Sequence, residues 1–168
     1  MGFEATADMH IKGNMFGVVE AGWLYANLER PDYHYKQYGV YGKLGIDYNL
    51  LKPKVPNSND IVYGGVRYGF SNFNQQAEKI TIPGYYWPDA PGETIPLSNM
   101  SAHWIELLFG VKAEVLKNLY IGMSFRFKFR IISPKDEFSM PYIIPGYGNG
   151  FESTAIGITY NVSYNIHF

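Results

Sequence analysis

Residues 156–168 set the tightest bound on what this chain can fold into. Ile156, Ile158, Tyr160, Val162, Tyr164, Ile166 and Phe168 alternate without a break with Gly157, Thr159, Asn161, Ser163, Asn165 and His167. Successive side chains of a strand point to opposite faces, so the segment predicts one strand with a wholly apolar face and a wholly polar one. A helix, with its period of 3.6, would mix the two sets on every face.

The same alternation recurs in six more segments. Residues 3–11 set Phe3, Ala5, Ala7, Met9 and Ile11 against Glu4, Thr6, Asp8 and His10. Residues 119–131 set Leu119, Ile121, Met123, Phe125, Phe127, Phe129 and Ile131 against Tyr120, Gly122, Ser124, Arg126, Lys128 and Arg130. Segments at about 19–25, 38–48, 62–71 and 104–115 follow the same rule. All ten prolines fall between these segments, as expected of a residue with no amide hydrogen to give to a ladder. The expectation is an all-β, antiparallel, up-and-down transmembrane β-barrel forming one domain over residues 1–168, with seven strands readable. Short or moderate turns are expected at about 12–14, 51–60 and 117–118, and longer loops at about 28–36, 75–100 and 133–150. Short turns on one side and long loops on the other are the habit of outer-membrane barrels, the short side being periplasmic. Closure then calls for an eighth strand, expected either to precede Gly2 in the native protein or to come from another chain, because seven would leave two sheet edges unpaired.

Alternation alone does not say which face is outside. A soluble lipocalin-like carrier of an apolar ligand has the apolar face inward; a membrane barrel has it outward. Three features favour outward. Gly22, Gly39, Gly45, Gly65, Gly69, Gly110, Gly122 and Gly157 lie on the polar face, where a crowded interior gains from them and a solvated surface does not. The polar face also carries balanced charge: Glu4, Asp8, Glu20, Asp47, Glu106 and Glu114 against Lys43, Arg67, Lys112, Arg126, Lys128 and Arg130. Ions shut in a narrow interior must pair, since an unpaired one costs several kcal/mol. No Asp, Glu, Lys or Arg falls on the apolar face of any of these strands. The reading is an interior filled by an ion-pair network, and not a general diffusion pore.

Little points to chemistry. A formal net charge of −1 offers nucleic acid no attraction, and the absence of cysteine removes thiol catalysis and thiolate metal sites. No metal-ligand spacing or cofactor motif occurs, so no metal or cofactor is expected. His103 and Ser101 are weak candidates for acyl chemistry at the rim, but strand alternation points Glu106 to the opposite face, away from them. The loop aromatics Tyr85, Tyr86, Trp87, Tyr142 and Tyr147 are candidate binding residues, or else a cap over the mouth.

A final strand of alternating apolar residues that closes on Phe168 is similar to the terminal signal of bacterial outer-membrane barrels. Gly2-Phe3-Glu4-Ala5, residues 41–49 (YGKLGIDYN), 63–73 (YGGVRYGFSNF) and 102–115 (AHWIELLFGVKAEV) resemble a Bacteroidota family of predicted outer-membrane barrels, domain of unknown function 6048. The resemblance implies an integral place in the bacterial outer membrane, among membrane lipid and lipopolysaccharide, and implies no activity. The expected function is structural or interaction-based, through the loops or as an accessory subunit with a protein partner in the envelope. The alternatives are a lipid-modifying enzyme with a rim site near His103, and the soluble carrier.

Overall fold

A computed structural model describes residues 1–30, 33–51, 60–78, 81–82, 90–91, 95–132 and 141–165. Ile166, His167, Phe168 and the loop residues Tyr85, Tyr86 and Trp87 lie outside the described residues. The strands are β1 (Gly2–Lys12), β2 (Met15–Arg30), β3 (Tyr33–Asn49), β4 (Ile61–Glu78), β5 (Thr81–Ile82), β6 (Ala90–Pro91), β7 (Ile95–Leu116), β8 (Leu119–Ile132), β9 (Ile143–Ile144), β10 (Gly148–Asn149) and β11 (Thr154–Tyr164). Seven of them form one antiparallel up-and-down sheet in the order β1-β2-β3-β4-β7-β8-β11, curled into a half-barrel. β5–β6 and β9–β10 are two-residue hairpin ladders outside it. Tight turns at Gly13-Asn14 and Lys117-Asn118 link β1 to β2 and β7 to β8. Gly13 and Asn118 there take the left-handed φ (59° and 66°) that such turns require.

The ladders run further than the alternation suggests. β2 and β3 stay paired to Arg30↔Tyr33, so nearly all of the loop expected at 28–36 is strand. β4 and β7 stay paired to Ala77↔Ile95, which shortens the expected loop at 75–100 from both ends. The expected loop at 133–150 is described from residue 141, where it turns inward and packs inside the curled sheet. Residues 52–59, most of the expected 51–60 turn, lie outside the described residues.

Through the middle of the sheet the apolar face is outside. Phe125, Phe127 and Phe129 are exposed, while Arg126 between them is only 7% exposed. Trp23, Val40, Leu44, Leu107, Ile158 and Val162 are likewise exposed. Buried on the concave side are Glu20, Lys43, Asp47, Arg67 and Glu106.

Toward one rim this polarity inverts along the same strands. On β4 the outward series runs Val66, Tyr68, Phe70 and then Asn72, Asn74 and Gln76. The inward series runs Gly65, Arg67, Gly69, Ser71 and then Phe73, which is fully buried. On β7 the outward Ile105 and Leu107 give way to Ser101 and Asn99, and the inward Glu106 gives way to Trp104, Ala102 and Met100. Asn72 and Asn99 bond to each other on the outside at 3.1 Å. On the inside Phe73, Met100, Ala102 and Trp104 form an apolar cluster with Ile144 and Tyr147 from the inturned loop.

Candidate functional site

The concave side holds the densest polar chemistry of the molecule. Glu20 on β2 is its hub. Arg126 on β8 donates to both of its oxygens, Nη1 to Oε2 at 2.7 Å and Nη2 to Oε1 at 3.1 Å. Lys43 Nζ donates to Oε2 at 2.9 Å and Arg67 Nε to Oε1 at 3.3 Å. Arg67 also grips Asp47 with a two-pronged pair of 2.8 Å bonds, the geometry a planar guanidinium matches best. Lys43 and the Tyr41 hydroxyl converge on Glu4 Oε2 at 2.8 and 2.9 Å. Glu106 accepts from Trp104 Nε1 at 2.7 Å and from Arg126 Nη1 at 3.2 Å, with Lys43 and Lys128 at 3.8 Å. Nearer the tight-turn end, Lys112 meets Asp8 at 2.7 Å and Glu114 accepts the Asn118 amide at 2.8 Å. No buried side-chain nitrogen or oxygen among the described residues lacks a partner.

Local sequence explains the convergence. Each ion sits at an inward position of its strand, and inward glycines make room between the long side chains. Gly69 shows how tight the space is, because a Cβ there would run into the Trp104 indole. The part centred on Glu20 is a connected network: Glu4, Glu20, Asp47 and Glu106 each meet a cation, and Lys43, Arg67 and Arg126 each bridge at least two carboxylates. It can fix one arrangement of the sheet. Ions occupy the middle of the concave side, and the inturned loop packs there toward one rim.

Of the two expectations for that loop, a binding surface or a cap over the mouth, its described part turns inward among side chains of the sheet. Residues 141–153 enter the concave side as a plug. Gln37 Nε2 donates to the Ile143 carbonyl at 2.5 Å, and Lys128 Nζ to those of Gly146 and Tyr147 at 2.8 and 3.0 Å. Arg130 Nη1 donates to the Gly150 carbonyl. Gly146, at a left-handed φ of 76°, lies against the Tyr41 ring, which a Cβ would meet at 2.5 Å. Tyr147 packs edge-on against Trp104 and donates its hydroxyl to the Glu152 carbonyl at 3.0 Å. Its burial raises the phenol pKa above the ordinary value, so it stays a neutral donor. This placement removes Tyr147 from the candidate binding residues: it is an internal anchor, 2% exposed. Tyr142 is exposed, with its ring against Tyr35 and Phe151. Lys128 and Arg130, placed in the ion network on sequence grounds, thus spend their hydrogen bonds mainly on plug carbonyls. Gln37 and Tyr41 had no assigned role, and only their inward register marked them.

The rim candidates share a face that no carboxylate of the same strand joins. His103 lies on the outward face, its Nδ1 2.6 Å from the Tyr68 hydroxyl and its ring 4.9 Å from that of Phe70. Ser101 is on the same face, opposite Asn72. Glu106 is fully buried on the other face, so no Ser–His–carboxylate set is assembled. His10 bonds the Gly13 carbonyl at 2.7 Å in the first turn. No group of metal-binding side chains occurs among the described residues.

A family model described as domain of unknown function 6048 matches residues 1–168, and the chain belongs to that family. No curated protein and no solved structure matches it.

Proposed function

We propose that this member of the domain of unknown function 6048 family is a small integral outer-membrane β-barrel protein with a filled, charge-paired and plugged interior. Its role is structural or interactive, as an accessory subunit of an envelope assembly, and not catalytic. The observation that carries this reading is the inversion of polarity along single strands. A soluble protein turns its apolar side inward throughout. Here β4 and β7 turn polar residues out only near the plugged rim, and over the rest of their length Val66, Tyr68, Phe70, Ile105, Leu107, Phe109 and Val111 stand exposed on the outer face. A low-dielectric band around the outside accounts for that reversal.

The band has the right height. The outward apolar stretch runs Tyr38–Tyr48 on β3, Ile105–Val115 on β7 and Ile121–Ile131 on β8. Each is 11 residues, against the roughly 9–11 that a tilted strand needs to cross a bilayer. Tyr38 and Tyr48 end the stretch on β3, and Trp23 and Tyr25 end it on β2, the placement interfacial aromatics favour. A shallow outward groove of about 510 Å³, lined by Leu44, Ile46, Tyr48, Gly64, Val66 and Tyr68, suits acyl chains. The tight turns at Gly13 and Lys117 would then be periplasmic and the plug extracellular.

Fractionation of native membranes tests the reading. The protein is expected to stay with carbonate-washed outer membranes and to migrate faster on gels before boiling than after. Recovery in the soluble fraction would sink it. Co-purification from those membranes tests the accessory role.

A further inference from the structure

His103 and Ser101, which assemble no reactive set, stand with Asn72 and Asn99 at one level of the outer face. The register of β4 and β7 pairs Phe70 with His103 and Asn72 with Ser101. This is the level at which the outward residues change from apolar to polar. Below it Tyr68, Phe70, Ile105 and Leu107 are exposed, and above it Asn99 is exposed. The step from Phe70 to Asn72 is about 7 Å of strand. Whatever lies against this wall must change from hydrocarbon to hydrogen-bonding groups over that distance.

The polar groups at this level are fixed in place. Asn72 and Asn99 bond to each other in both directions, Nδ2 to Oδ1, at 3.1 and 3.4 Å. A primary amide has two N–H donors and two oxygen lone pairs, so each side chain keeps a donor and an acceptor beyond the pair. The Nδ1 of His103 is 2.6 Å from the Tyr68 hydroxyl, and its ring lies 4.9 Å from that of Phe70. Nε2 is the remaining polar atom of that ring. Ser101 places a hydroxyl between His103 and Asn99 on the same strand face. The amides and the hydroxyl offer donor and acceptor side by side, as a sugar hydroxyl does. None of the four is an Arg or Lys, the residues that suit a phosphate. Lys36 on the same wall stands opposite Gln76, two outward positions further from the band.

Resting on the membrane reading above, we propose that Asn72, Asn99, Ser101 and His103 bind the sugar head of a glycolipid in the leaflet nearer the plug. Its neutral hydroxyls bond to these side chains, and its acyl chains run down the outer face over Phe70, Ile105 and Leu107. A phospholipid suits the wall less, because its phosphate would meet neutral donors where a guanidinium or an ammonium is wanted. A free oligosaccharide has no chains to cover the exposed rings beneath. The site holds its ligand without converting it, since Glu106 lies buried on the opposite face.

Native mass spectrometry of the protein extracted from outer membranes tests the proposal. The extract, in an amine-oxide detergent, is titrated with two lipids carrying the same acyl chains, monoglucosyldiacylglycerol and phosphatidic acid. The expected result is retention of the glucolipid at least about tenfold tighter, the worth of two or three neutral hydrogen bonds. Asn72→Ala and Ser101→Ala should each reduce that preference. The Asn99→Ala, His103→Ala double variant should abolish it and keep the heat-dependent gel shift of the parent. Equal retention of the two lipids, tighter retention of phosphatidic acid, or a preference that survives every one of these substitutions would each overturn the sugar site while leaving the membrane reading intact. Recovery of the parent protein from the soluble fraction would overturn both.

Discussion

At the scale of single residues, Glu20 matters most. Arg126, Arg67 and Lys43 all bond to it, so Glu20→Ala takes a partner from three buried cations at once and leaves them to share Glu106, Asp47 and Glu4. Breaking a buried ion set from one side costs about 3–5 kcal/mol, and the urea unfolding midpoint in detergent micelles should fall accordingly. The Glu20→Ala, Arg126→Ala double variant should cost clearly less than the sum of the two single ones, because the partners act as a unit. That Glu20 faces inward was legible from its place in the alternation. That it is the hub was not, because its partners come from β3, β4 and β8, and the stagger between strands is written in no single segment. His103 makes the opposite case. It looked chemically distinctive, yet it holds a rim hydrogen bond to Tyr68. His103→Ala should cost about 1 kcal/mol or less and leave every lipid A species unchanged by mass spectrometry. An altered lipid profile would revive the enzymatic reading.

At the scale of elements, the alternation located every strand of the main sheet and misjudged where β2, β3, β4 and β7 end. The reason is physical. Period-two hydrophobicity needs opposite surroundings on the two faces of a strand. Beyond Phe70 on β4 the outward residues become Asn72, Asn74 and Gln76 while Phe73 turns inward. The signal there reverses phase, and a reader following the earlier phase sees a loop. A cap over the mouth was one expectation for the loop, but its inward seating was not legible, for a related reason: residues 141–153 are held by side chains of β3 and β8 acting on carbonyls, and a carbonyl has no letter in the sequence. The phase reversal gives a paired test. Leu107→Arg, outward within the band, should cost about 2–4 kcal/mol of folding stability in lipid vesicles. Asn72→Arg, outward beyond the reversal, should stay within about 0.5 kcal/mol of the parent. Equal effects of the two substitutions would remove the band.

At the scale of the whole molecule, the outer surface and the interior have exchanged their usual composition. The concave side holds ions through the middle, and an apolar cluster and a plug at one rim. Vesicles carrying the protein should therefore not swell in isosmotic sugar solutions, and swelling with even a monosaccharide would contradict the packing. The Glu20–Arg126–Glu106 set has a further consequence for how the protein meets its medium. Dissolved ions weaken attractions between charges they can surround, over a Debye length of about 8 Å at physiological strength. The two carboxylates are 1% and 0% exposed, so sodium and chloride cannot get between them and the guanidinium. A change from fresh water to brine would leave this inner cement untouched, and the stability lost on Glu20→Ala should be the same at both extremes.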